Sequence, residues 1–174
     1  FRLDVINLIS KDQDFPDGTE TGLVGHEHFA NGPRVHEFIQ EMAENTYNNY
    51  DAMTVGETPF VDKDEALKFV KENRKEFSMV IPFEHLELDR KEGWEEITAW
   101  KLKELKSLMS DWQYKLQQNN GWTSLYFCNH DQPRIVSRYG DDGNYRKESA
   151  KMLGTMLHTL RGTPFIYQGE EIGM

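Results

Sequence analysis

The chain carries one cysteine, Cys128, in 174 residues, so no internal disulfide can form. A lone thiol fits a reducing compartment, and a cytoplasmic protein is expected. Long apolar runs are also missing: none approaches the roughly twenty residues that span a bilayer. Basic residues are in the minority, 20 Lys and Arg against 30 Asp and Glu, for a formal charge of -10. An acidic surface repels phosphate backbones and anionic lipid. The few cations are scattered rather than clustered, which argues against nucleic acid and membranes as partners. Low-complexity stretches, internal repeats and long linkers are absent. The sequence begins at Phe1, already inside an apolar run, which reads as a fragment whose true N-terminus lies upstream.

Short apolar runs alternate with longer amphipathic ones. Phe1–Asn7 reads as a strand, followed by a polar, Gly-rich stretch over Ser10–Gly32. Pro33–Tyr47 has a helix start, with Asn31 as cap and Pro33 in the first turn. Ala52–Gly56 is a second strand, Asp62–Asn73 a helix, and Phe77–Phe83 a third strand. Thr98–Gln118 is a long helix whose Leu102, Leu105, Met109, Trp112 and Leu116 form one apolar stripe. Trp122–Cys128 is a fourth strand, Tyr145–Leu160 a helix, and Thr163–Gln168 a fifth strand. Strand–helix alternation with nearly continuous apolar strands predicts a parallel sheet covered by helices. Both a doubly wound sheet and a (β/α)8 barrel fit. A complete barrel needs about 250 residues, so this chain holds little more than half of one.

Polar residues gather at the strand ends. Asp4 lies in the first strand and is followed by Asn7. Glu57 directly follows the second strand, Asn129, His130 and Asp131 the fourth, and Gln168, Glu170 and Glu171 the fifth. In parallel β/α folds these ends face one side, where chemistry collects. Carboxylates from three strands converging there fit either an oxygen-ligated metal or glycoside hydrolysis. The second needs one ionised and one protonated carboxyl across the scissile bond, about 5–5.5 Å apart when configuration is retained. Arg2 shares a strand face with Asp4, and its fixed charge would keep Asp4 ionised.

FRLDVIN, TVGE and NHDQPR resemble three signature regions of the α-amylase superfamily of glycoside hydrolases. The intervening NGPRVHEF, FEHLELD, SDWQ, YRKESAKML and GTPFIYQGEEIGM read like its oligo-1,6-glucosidase and dextran glucosidase branch. The resemblance implies the fourth to eighth strands of a (β/α)8 TIM barrel. The first three strands, most of the domain inserted after the third and a C-terminal β-domain would lie outside residues 1–174. It implies Asp4 as nucleophile, Glu57 as general acid/base and Asp131 as transition-state stabiliser. Arg2 would support Asp4, His130 would bond sugar hydroxyls, and Arg134 would shape the pocket mouth. Val5 would favour α-1,6 over α-1,4 links. The expected partners are an oligosaccharide substrate and the rest of the parent barrel. No cofactor is expected in this segment, with calcium or magnesium left to the remainder of the parent. Rival readings are a trehalose-6-phosphate hydrolase, whose phosphate pocket would need cations this segment does not obviously supply, and a glucosyl-transferring relative. A non-catalytic, transporter-associated homologue is a third, from which loss of the carboxylates would be expected. The segment expressed alone is expected to be inactive and poorly soluble, with open sheet edges.

Other residues have plainer readings. His26 and His28 read as solvated loop histidines rather than metal ligands. Trp94, Trp100 and Trp112 read as packing, as do Trp122 and the Met152, Met156, Leu160 stripe. Cys128 reads as a small buried hydrophobe.

Overall fold

The structure is a computed structural model that describes residues 1–19, 23–91 and 96–174. It divides into two compact units, 1–123 and 124–174. In the first, strands β1 (Arg2–Leu3), β2 (Val55–Glu57) and β3 (Met79–Ile81) form a parallel sheet in the order β1-β2-β3. Arg2 pairs with Val55 and Val55 with Met79, and a further parallel bridge joins Val80 to Thr123. Helices α1 (Val35–Asn45), α2 (Lys63–Val70) and α3 (Leu102–Gln118) supply the connections. A small antiparallel hairpin, β4 (Arg90–Lys91) with β5 (Glu96–Ile97), precedes α3. The core joins Ile39 of α1, Phe69 of α2, Val80 of β3, and Trp112 and Leu116 of α3, all nearly excluded from solvent.

The expected alternation is present, with shorter elements. The first strand stops at Leu3 instead of running to Asn7. Val5 adopts a left-handed backbone (φ 37°, ψ 42°), and Ile6–Leu8 closes a 3-10 turn with the Leu8 N–H donating to the Val5 carbonyl at 3.0 Å. Asn31 does not cap α1. It is itself left-handed (φ 52°), and its side chain is engaged elsewhere. Ser10 Oγ accepts from the Arg34 N–H at 3.0 Å instead. Asp62 caps α2, accepting from the Asp64 and Glu65 N–H groups at 2.9 and 2.8 Å, and an N-cap of this kind is worth about 1 kcal/mol.

Along α3 the buried residues are Leu105, Trp112 and Leu116, with Leu108 packed against the core, while Leu102 is exposed. Trp112 is packing, as expected, and its indole N–H donates to Glu84 Oε2 at 2.7 Å. Trp94 lies outside the described residues. In the second unit β6 (Ser124–Leu125) runs parallel to β7 (Thr163–Pro164), and α4 (Ile135–Tyr139) and α5 (Arg146–Thr159) lie between them in sequence. The stripe expected on α5 is corrected: Leu153 and Leu157 are buried, and Met152 is half exposed. The two series lie side by side on the helix, one residue apart, and the branched leucines face inward.

Candidate active site

The site in the first unit is built where β1 and β2 end. β2 is short and buried along its length. Gly56 is required there: a Cβ at that position would stand 2.6 Å from the Phe77 ring. The close approach lets β2 pass under the ring and delivers the next residue, Glu57, at the end of the strand.

Arg2 organises the carboxylates. Its Nη1 donates to Asp4 Oδ1 at 2.7 Å and its Nη2 to Glu57 Oε2 at 2.6 Å. The expectation gave Arg2 one partner, whereas its planar fork holds two. The Val5 N–H also donates to Glu57 Oε2, at 3.2 Å, so the left-handed turn places a backbone donor on the acid. One guanidinium thus bridges the two carboxyl groups.

The two carboxyls differ in exposure: the Asp4 side chain is 73% accessible and that of Glu57 7%. Burial, followed by the Asp4 hydrogen bond, pushes Glu57 above the usual carboxylate range. The Asp4 charge adds to this, while the Val5 N–H and the Arg2 charge oppose it. Glu57 is thus the enclosed carboxyl, whose protonated form burial favours, and Asp4 lies on the solvent side.

Asp131, His130 and Arg134 fall in the second unit. Asp131 sits in a turn closed by its own N–H donating to Asn129 Oδ1 at 3.0 Å, an Asx-turn. His130 Nε2 lies 3.3 Å from Asp131 Oδ2, and both side chains are more than half exposed. Arg134 donates to the Gln168 carbonyl at 2.7 Å and stacks over the Tyr167 ring at 4.7 Å. It therefore ties the loop after β7 to the start of α4. Glu170, left open between site edge and solvated surface, is partly buried; its carboxylate accepts from the Tyr167 N–H at 3.1 Å, and burial raises its pKa. Cys128 is buried, as expected, and burial raises its thiol pKa away from reactivity.

Among the described residues no group of three or more His, Cys, Asp or Glu is placed to hold a metal ion. His26 stacks on Phe60 at 4.5 Å rather than joining such a group. No helix among the described residues is long and apolar enough to cross a membrane.

Sequence reasoning missed the role of Asn7, which is fully buried. Its Nδ2 donates to the Pro59 carbonyl at 2.6 Å and to Asn31 Oδ1 at 2.9 Å. The signal available was a polar residue three positions past Asp4 in an otherwise apolar run.

The family described as alpha amylase, catalytic domain, matches residues 1–174. Among curated proteins, the oligo-1,6-glucosidase of Parageobacillus thermoglucosidasius is 54% identical over the whole chain, which covers 32% of that protein. The trehalose-6-phosphate hydrolase of Bacillus subtilis (strain 168) is 50% identical, again over the whole chain and 31% of that protein. The chain thus spans about a third of the length of the curated relatives it matches. Among solved structures, a mutant trehalose-6-phosphate hydrolase of Bacillus licheniformis superposes with a TM-score of 0.93 at 49% identity, over 100% of this chain and 31% of that one. Isomaltulose synthase of Erwinia rhapontici NX5 superposes with a TM-score of 0.91 at 33% identity, over 99% of this chain and 31% of that one.

Proposed function

The chain belongs to the α-amylase catalytic-domain family, and from that membership we propose that it is the fourth-to-eighth-strand part of a (β/α)8 barrel whose parent is a retaining α-glucosidase. The substrates proposed are short oligosaccharides with terminal α-1,6 and some α-1,4 glucosidic bonds. The parent would supply the first three barrel strands and a C-terminal β-domain. The oligo-1,6-glucosidase relatives support the substrate class. The lone thiol supports a cytoplasmic setting.

The observation that carries the reading is the Arg2-bridged pair of one exposed and one buried carboxyl, with burial pushing the pKa of the buried one up. Ionised Asp4 attacks the anomeric carbon. The bond from that carbon to the leaving oxygen breaks, and the Glu57 proton moves to that oxygen. Water then attacks the glucosyl–Asp4 ester, giving its proton to the Glu57 carboxylate and releasing Asp4. Asp131 would stabilise the positive charge that develops on the sugar. His130 would bond hydroxyls of the reacting ring, and Arg134 would fix the pocket mouth through its hold on Gln168. An inactive mutant of a related synthase, with two aspartates replaced, was crystallised with isomaltulose, which supports a carboxylate-dependent site.

The test is made in the full-length parent. Glu57→Gln should lower kcat on isomaltose by about 10²–10⁴-fold, yet spare p-nitrophenyl α-glucoside in the first step because that leaving group needs little protonation. Asp4→Ala should form no glycosyl-enzyme with either substrate. Equal loss on both substrates in both variants would refute the division of roles. The trehalose-6-phosphate reading is favoured by the 0.93 TM-score neighbour. It would replace the glucosidase reading if the parent turned over trehalose-6-phosphate faster than isomaltose.

A further inference from the structure

We propose that Asn7 is a positioning residue whose carboxamide locks the turn after Glu57 onto the turn that carries Asp4, and so fixes where the acid stands relative to the nucleophile. The inference rests on the reading of Asp4 and Glu57 given above. Asn7 is completely buried. It lies three residues after Asp4, and one of its acceptors, the Pro59 carbonyl, lies two residues after Glu57. Two residues before Asn7, the Val5 N–H grips Glu57 Oε2. A closed loop results: Val5 to Glu57 through the carboxylate, Glu57 to Pro59 through the backbone, and Pro59 to Asn7 through the amide.

Asn31 braces the same loop from outside. Its N–H donates to the Asn7 carbonyl at 2.9 Å, and its Nδ2 donates to the Phe60 carbonyl at 3.1 Å. Val5, Asn31 and Phe60 are all left-handed, at φ 37°, 52° and 60°. Non-glycine residues keep such backbones only where the surroundings over-determine them, and such positions gather at functional sites. Asn31 is held to Asn7 by two bonds and itself holds Phe60, while Val5 is held to Glu57 Oε2. Donation is the chemistry the position requires, because both acceptors are carbonyl-type oxygens. An Asp of the same shape would set a carboxylate against them.

A residue that merely holds the fold would lower stability and depress every substrate alike. A residue that aims the acid acts on the substrates that need the acid. In the full-length parent, Asn7→Ala should lower kcat on isomaltose by about 10²-fold, the scale of an ångström-sized misplacement. KM should change little, and the drop in glycosylation rate on p-nitrophenyl α-glucoside should be under about tenfold. Asn7→Asp should follow Asn7→Ala. Asn31→Gly keeps a backbone at home at φ 52° while deleting both side-chain bonds, and it should show the same split in weaker form. It also decides the question if Asn7→Ala does not fold. Equal loss on both substrates, or no loss on either, in the folded variants overturns the proposal. Glu57→Gln measured alongside separates the two ideas. If that variant shows the substrate split and the Asn7 and Asn31 variants do not, the Asn7 proposal alone fails. If Glu57→Gln shows no split, the acid assignment fails and the Asn7 proposal falls with it.

Discussion

Val5 offers the sharpest perturbation, because its two simplest variants should differ in strain relief and agree in specificity. Its backbone is left-handed at φ 37° and ψ 42°, a conformation that costs a non-glycine residue about 1–3 kcal/mol. A β-branched residue is a poor occupant of it, and valine's stiff χ1 prevents the side chain from swinging aside. Glycine would relieve the strain while loosening the unfolded chain at a cost of about 0.4–1 kcal/mol. Val5→Gly should therefore range from neutral to about 2 kcal/mol more stable. Val5→Ala keeps its Cβ and should gain less. On specificity the variants should agree. Val5 directly follows the proposed nucleophile and is 39% exposed, so its methyl groups can bear on the leaving sugar. An α-1,6 link has an extra rotatable bond and can bend past them, whereas an α-1,4 link cannot. Removing both methyl groups, as each variant does, should raise the maltose-to-isomaltose ratio of kcat/KM by at least about tenfold. The assay is that ratio for the full-length parent and both variants, with urea unfolding beside it. An unchanged ratio in both folded variants would leave Val5 without a role in linkage choice.

Two further outcomes are expected. Glu76 is fully buried and accepts from His36 Nδ1 at 2.7 Å, Gln40 Nε2 at 2.9 Å and Arg74 Nε at 2.9 Å. Glu76→Ala should cost the parent about 3 kcal/mol by leaving those donors unpaired, as read by urea denaturation, and a loss under about 1 kcal/mol would mean the cluster repacks or finds water. Asp4→Asn removes the hydrogen bond and charge that help raise Glu57, so the Glu57 carboxyl should titrate at lower pH than in the wild type by carbon-13 NMR. A rise would show that burial and Asp4 do not act in the same direction.

The sequence made the alternating order of strands and helices readable because buried parallel strands and amphipathic helices leave different periods. The start of a helix at Asp62 was readable too, and there Asp62 proves to be the cap of α2. What could not be read depends on contacts distant in sequence. Ser10 caps α1 across 24 residues, and no local pattern points to it. Glu76 binds residues of α1 that lie 36 and 40 positions away. The early end of β1 was hidden because FRLDVIN has strand propensity throughout, while the left-handed Val5 is bonded through its N–H to Glu57, 52 residues away. The helix stripes slipped by one residue wherever two apolar series ran side by side, as with Met152 and Leu153. Arg2 was correctly placed beside Asp4 by strand alternation, but its second partner comes from a different strand, 55 residues on.

The proposed roles of Glu57 as acid and Asp4 as nucleophile rest on burial as well as on family resemblance. Arg2 brings the two carboxyls to one guanidinium, and desolvation favours the protonated form of the buried one. Glu57 is enclosed by β2, the Val5 N–H and the Arg2 guanidinium, whereas Asp4 projects from a turn into solvent. Charge is cheapest where water reaches it, so burial raises the pKa of Glu57. Arg2 then reinforces the partition without creating it: it contacts both carboxylates and favours ionisation of each, while only Asp4 has water to add to that charge. For the acid to protonate a glucosidic oxygen, the Arg2–Glu57 contact must give way to substrate while the Val5 and Asn7 bonds still hold the turn. Those bonds suit that purpose better than the ion pair because they come from the turn itself, and the Val5 N–H, which lowers the Glu57 pKa, also favours release of the proton the acid has to deliver.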